Sequence, residues 1–328
     1  MRGEVTLEVL VTTADREAAL EADVRTGLGG SSGKALPPVW FYDEVGSRLF
    51  DAITRLPEYY PTRTEAAVLR QHAAAIVAVA GADVLVELGS GTSEKTRLLL
   101  DAMSAAGSLR EVVLLDISEA VLLEGAADIR DAYGVDVHAV VGDFREHLEV
   151  LAKGERRLWA FLGSTIGNFR PPERHRLLVE LAGAMADDDH LLLGTDLVKD
   201  PDRLVAAYDD AEGVTAAFNR NLLAVLNREL GADFDPGRFA HRAVWDAEEE
   251  WIEMRLQASV PHRVRLARLA LEVGFEAGEE ILTETSAKFR PERVRAELQV
   301  AGLTEVGAWS DPADDFRVCL ARRGTSPA

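Results

Sequence analysis

The stretch Val84-Leu85-Val86-Glu87-Leu88-Gly89-Ser90-Gly91-Thr92 decides the fold. Its first five residues form a short, nearly continuous apolar run, as a parallel strand buried on both faces requires. The glycines that follow let the backbone turn tightly and approach a ligand. A helical pattern then starts at once, over 93–106, and its N-terminus offers free N–H groups. Similar runs recur outward from this point at 111–117, 135–144, 158–164 and 190–198, separated by helical patterns at 118–133, 145–153 and 172–186. Strand and helix alternating through right-handed crossovers give an α/β fold, a doubly wound, mostly parallel, Rossmann-like sheet.

The flanking sequence reads differently. Residues 1–62 hold a Gly/Ser segment, GLGGSSGKALPP (27–38), and an aromatic cluster, WFYDEVGSRLF (40–50). One or two helices are expected over 199–230, starting at Asp200-Pro201. Residues 238–289 carry strand-like runs, WIEMRLQASV and EEILTETSAKF, around a short helix near 263–274. After Pro291 come a helix (291–301) and the runs TEVGAWSD and FRVCLARR, which would add an antiparallel hairpin to the sheet edge. The expected organisation is 63–198 plus 289–328 as a nucleotide-type domain, and 1–62 plus 199–288 as a second, α+β lobe.

Composition narrows the function. The chain has 328 residues, 47% hydrophobic and 28% charged, with a net charge of −20. Such a field repels polyanions, so nucleic acid and anionic membranes are poor partners. The N-terminus lacks the pattern of a signal peptide, and no apolar run approaches a membrane span. A cytoplasmic, monomeric protein is expected. Cys319 is the only cysteine and the seven histidines show no metal-ligand spacing, so no metal is expected.

Three successive strand ends carry polar groups. The loop after the first strand departs from the dinucleotide fingerprint, because Glu94 stands at its third glycine position and would repel a pyrophosphate. A phosphate-free cofactor such as S-adenosylmethionine (SAM) is compatible. Asp116 ends the second run, where an acidic side chain accepts from ribose hydroxyls. Asp143-Phe144 ends the third, where a carboxylate and a ring would hold an adenine. Singly, either aspartate would equally serve as a helix cap; as a set at adjacent strand ends they point to a ligand. GLGGSSGKA (27–35) is no phosphate loop, since Leu28 and Ala35 replace the required Gly and Ser/Thr. Tyr42, Tyr59 and Tyr60 cluster in one segment, while Glu284, Ser286 and Lys288 share one face of a strand. On this pattern alone, packing of the tyrosines and solvation of the strand face are the better explanations.

The segments KALPPVWFYDEVGSRLFDAITRLPEYYPTRTE (34–65), VELGSGTSEKT (86–96), LGSTIGNF (162–169) and ILTETSAKF (281–289) together resemble the SAM-dependent histidine Nα-methyltransferases of ergothioneine biosynthesis. The similarity spans about residues 30–322. It implies a SAM methyltransferase sheet and three successive methyl transfers to the α-amine of L-histidine, giving hercynine. It also implies that Tyr59, Asn168, Tyr208 and the strand Glu284-Thr285-Ser286 hold histidine. Gly89, Lys95, Asp116, Asp143 and Phe144 would hold SAM, and Tyr42 would relay the proton in a catalytic set with Asn168 and Tyr208. Alternatives are a SAM-dependent N-methyltransferase for another small amine or amino acid, and a non-catalytic SAM-binding module. A nucleic-acid methyltransferase is disfavoured by the charge.

Overall fold

The computed structural model describes residues 3–30, 33–91, 95–151 and 156–324. Glu94, Ser31 and Ser32, which entered the loop arguments above, lie outside the described residues. The chain opens with β1 (Val5–Val9) and α1 (Thr13–Gly29), a helix capped by the Thr12 hydroxyl, which accepts from the Asp15 amide. Next come β2 (Lys34–Ala35) and α2 (Glu44–Thr54). The α/β alternation follows: α3 (Pro61–Ala80), β3 (Val84–Leu88), α4 (Thr96–Ala105), β4 (Glu111–Asp116), α5 (Glu119–Tyr133) and β5 (Asp136–Val141). It ends with β6 (Arg157–Phe161), α6 (Pro171–Ala184) and β7 (His190–Asp196). Two helices, α7 (Pro201–Tyr208) and α8 (Val214–Leu230), precede β8 (Phe239–Asp246), β9 (Trp251–Ala258), β10 (His262–Leu266), β11 (Leu271–Phe275) and β12 (Glu280–Ala287). The chain closes with α9 (Pro291–Val300), β13 (Leu303–Ser310) and β14 (Phe316–Arg323).

These elements form two compact units, 1–11 with 61–198 and 288–328, and 12–60 with 199–287. The first is an eight-stranded sheet in the order β1-β5-β4-β3-β6-β7-β14-β13. Strands β1 to β7 in it run parallel, and β14 pairs antiparallel with both β7 and β13. Leu85, Val112, Leu114, Ala139, Leu158 and Leu192 pack with Val68, Leu69 and Ile76 of α3 in its core. From β3 the chain builds outward through β4 and β5, then returns to the other side of β3 as β6. That reversal is the topological switch point, where open α/β sheets bind ligands outside the strand C-termini.

The second unit has a four-stranded sheet, β2-β12-β9-β8, and a two-stranded one, β10-β11. Its core joins Phe41, Phe218 and Leu222 to Ile252, Met254, Leu256 and Ile281. Among the described residues, no helix is long and apolar enough to cross a membrane.

Several expectations are corrected. Residues 5–9 belong to the main sheet and not to the second lobe: β1 pairs with β5 in register Val5↔Val137 to Val9↔Val141. Its alternation leaves Leu7 and Val9 exposed, as an edge strand tolerates. The helix expected near 263–274 is the β10–β11 hairpin. Val264, Leu266, Val273 and Phe275 point inward with period two, while Arg263 and Glu272 pair outside. In place of a helix over 145–153, the described residues show only a 3-10 turn, Leu148–Leu151. Gly27 to Gly29, the start of the Gly/Ser segment, form the end of α1.

Candidate active site

In the first unit the strand ends are bound to one another. Gly89 has φ +72° and Gly91 φ +46°, left-handed values that strain any other residue. The Asp116 carboxylate at the end of β4 accepts from the Gly91 amide at 2.9 Å and from the Ser118 amide at 2.9 Å. Asp116 thus shapes the glycine loop as well as facing it. The Gly142 amide donates to the Asp116 carbonyl at 3.0 Å, tying in the end of β5. There Asp143 receives the Arg145 Nε at 2.9 Å, a partner not foreseen from sequence. Phe144 stands edge-on to Phe161 (5.2 Å between centroids) and to Phe169 (6.0 Å). A Cβ added to Gly89 would meet the Phe144 ring at 3.8 Å, an ordinary contact, so it is the positive φ and not space that calls for glycine there. Asn168 is half-buried and ends a 3-10 turn, Thr165–Asn168, just beyond β6.

Glu65 was missed. It is a fully buried carboxylate on α3 that pairs with Lys95 and accepts from the Gly163 amide at 2.9 Å. The signal lay in spacing: Glu65, Val68, Leu69 and Ile76 form one helical stripe, and a glutamate in an apolar stripe needs a buried partner.

The second unit gathers the remaining candidates, apart from Asn168. Tyr208 ends α7, and its Oη lies 2.8 Å from the Ser286 Oγ of β12. Tyr59 stands edge-on to Tyr208 at 6.0 Å and to Phe50 at 6.2 Å, and Phe50 in turn meets Tyr42 at 5.7 Å. Tyr42, Tyr59, Tyr208 and Ser286 thus follow one another through Phe50 along one wall. On β12, Ile281 lies opposite Leu256, Glu284 opposite Met254 and Ser286 opposite Ile252, with a bulge between Leu282 and Glu284. Paired residues share a face, so Glu284 and Ser286 emerge beside the apolar Met254 and Ile252. Thr285, opposite Glu253, takes the other face. Lys288, expected on the Glu284 face, instead forms a buried ion pair with Asp196 in the first unit.

Behind Tyr208 lies a buried polar chain. His241 reaches the Tyr208 carbonyl at 2.8 Å through Nε2 and the Asn219 amide at 2.8 Å through Nδ1. A carbonyl can only accept, so Nε2 carries the proton and Nδ1 accepts. The Thr283 hydroxyl donates to the Asn219 Oδ1 at 2.7 Å. Burial pushes the His241 pKa down, against the opposing pull of the Tyr208 carbonyl and Asp209. Below a pH of about 6.5 the unfolded chain therefore binds a proton that the folded chain does not. Stability should fall as pH drops below that value. A lower urea midpoint at pH 5.5 than at pH 7.5 is expected. His241→Gln should reduce this difference without abolishing it, because burial also lowers the His190 pKa.

The cofactor-side residues fit the SAM implied by the sequence. Acceptors at Asp116 and Asp143 suit ribose hydroxyls and an amino-purine. Glu65 offsets the Lys95 ammonium, so a cationic sulfonium would meet no net positive charge from that pair. Comparisons with known proteins identify the family. A family model for histidine-specific, SAM-dependent methyltransferases matches residues 20–323. The chain is 60% identical over 306 residues to a histidine N-alpha-methyltransferase of Mycolicibacterium smegmatis, covering 93% of this chain and 95% of that protein. It is 58% identical to a protein of the same name from Mycobacterium tuberculosis, with the same coverage. The solved CcbJ methyltransferase from Streptomyces caelestis aligns with a TM-score of 0.45 at 16% identity, over 87% of this chain and 100% of that one. The chain belongs to the SAM-dependent, histidine-specific methyltransferase family.

Proposed function

We propose that the chain methylates the α-amine of L-histidine three times, forming hercynine in ergothioneine biosynthesis. The observation that carries this is the polar pair Glu284 and Ser286 on one face of β12, with Ser286 hydrogen-bonded to Tyr208. The names of the relatives at 60% and 58% identity support the same substrate. An imidazole offers one N–H and one bare nitrogen. Glu284 accepts from the first. With Tyr208 donating to Ser286, the serine hydroxyl donates to the second. Thr285, whose side chain faces away, contributes through its backbone.

SAM supplies a methyl group on a sulfonium, an electrophile that demands an aligned, neutral amine. Gly89, Lys95, Asp116, Asp143 and Phe144 hold it. An α-amine with a pKa of about 8 is mostly protonated at neutral pH. Asn168, Tyr59 and Tyr208 orient the amine and favour its neutral form. Tyr42 relays the proton released before the second and third additions, passing its own phenol proton onward as it accepts one. The third addition leaves no N–H, so methylation stops there. The chain acts as a monomer in the cytoplasm, a setting that suits a lone buried thiol at Cys319.

Incubation with SAM and L-histidine, followed by mass spectrometry, should show one, two and then three methyl additions. No turnover of histidine, with another amino acid methylated instead, would overturn the substrate. SAM binding with no turnover of any amino acid would leave a binding module. Glu284→Ala should weaken histidine binding by about 2 kcal/mol, because a buried N–H loses its acceptor, and leave the SAM Kd unmoved. Intact histidine affinity in calorimetry would sink the imidazole assignment.

A further inference from the structure

We propose that Glu65 is a positioning residue of the methyl-donor site, the carboxylate that fixes Lys95 and the Gly163 turn at the switch point of the sheet. The proposal rests on SAM being the methyl donor. Glu65 reaches the space beyond β3 and β6 from α3, outside the strand-end loops that carry the expected cofactor residues. Both of its oxygens lie 2.9 Å from the Gly163 amide, and it pairs with the Lys95 ammonium. The fold makes room for it. A Cβ on Gly194 of β7 would stand 2.1 Å from the Glu65 Oε1, so only glycine leaves that volume to the carboxylate. A Cβ on Gly163, whose φ is +77°, would stand 3.4 Å from the Lys95 Nζ.

The Glu65 side chain is 0% exposed and that of Lys95 is 21% exposed. One ammonium proton is therefore committed to a buried partner, while the lysine side chain as a whole stays partly exposed. An uncompensated lysine here would repel a ligand that carries a sulfonium and an α-ammonium. With Glu65 behind it, Lys95 becomes a fixed donor with little net charge, suited to the carboxylate of the ligand's amino-acid end. Gly163 begins the turn that leads to Asn168, so the same carboxylate also sets where that turn starts.

The test compares two ligands by calorimetry: SAM, and methylthioadenosine, which keeps the nucleoside and lacks the amino-acid end. Glu65→Gln preserves shape and an acceptor for Gly163 while removing the charge. It should raise the SAM Kd about tenfold and the methylthioadenosine Kd less than twofold. Lys95→Met should give a similar loss for SAM, and the double variant less than a further twofold, because the two residues act as one unit. Gly194→Ala displaces the carboxylate from the strand side and should show the same ligand selectivity, so the test survives if Glu65→Gln fails to fold. Equal losses for both ligands, multiplicative losses in the double variant, or an unchanged SAM Kd would each overturn the role of Glu65. Failure of the unmodified chain to bind SAM would overturn the methyl-donor assignment itself, and the proposal with it.

Discussion

Lys288→Met is expected to destabilise the first unit by about 3–5 kcal/mol, the range for breaking a buried ion pair on one side. The Lys288 Nζ lies 2.9 Å from the Asp196 Oδ2, and the two side chains are 0% and 1% exposed. Methionine matches the length of the lysine stem and packs as well, so the loss isolates the charge. The carboxylate would be left in a low-dielectric setting without its ammonium. Neighbouring backbone bonds share the strain: the Phe289 amide donates to the Asp196 carbonyl at 2.8 Å, and the Val198 amide to the Phe289 carbonyl at 3.0 Å. Urea denaturation should show a large drop in midpoint. Adding Asp196→Leu should recover much of it, since an apolar pair of similar volume often replaces a buried ion pair at little cost. A shift below about 1 kcal/mol for Lys288→Met would mean that water reaches the pair.

Asp116→Ala should weaken SAM binding by about 3 kcal/mol, on the order of a hundredfold. Two losses combine. The ribose loses a charged acceptor, and the Gly91 and Ser118 amides lose the oxygens that hold the glycine loop in its left-handed turn. Asp116→Asn keeps one acceptor oxygen and should lose roughly tenfold. Calorimetric titration reads both. An unchanged SAM Kd in Asp116→Ala would place the ribose elsewhere.

The parallel core was legible because β3 to β7 are continuous apolar runs, a pattern that burial on both faces imposes and little else mimics. Asp116 and Asp143 were legible as strand-end residues for the same reason. β1 was not, because a five-residue edge strand with exposed Leu7 and Val9 carries only weak alternation. The β10–β11 hairpin hid because HRVRLARLALEVGF satisfies both a helical and a strand period; cross-strand packing of Val264 and Val273 decides between them. Glu65 and the bond between Tyr208 and Ser286 join residues distant in sequence. Periodicity reports which face a residue takes, and only the fold reports what meets it there.

The bulge in β12 works as a frameshift. In an unbroken strand Ile281, Thr283 and Thr285 would share the apolar face, and Glu284 and Ser286 would turn to the opposite side. One supernumerary residue changes the parity, so Ile281 is followed on that face by Glu284 and then Ser286. The face that Glu284 and Ser286 take is therefore set by the bulge as well as by alternation. A strand shortened by Thr283 would keep Glu284 and Ser286 on that face, whereas a straightened strand of unchanged length would turn them away from it. The bulge, and not only the letters around it, is what presents these two side chains beside Met254 and Ile252.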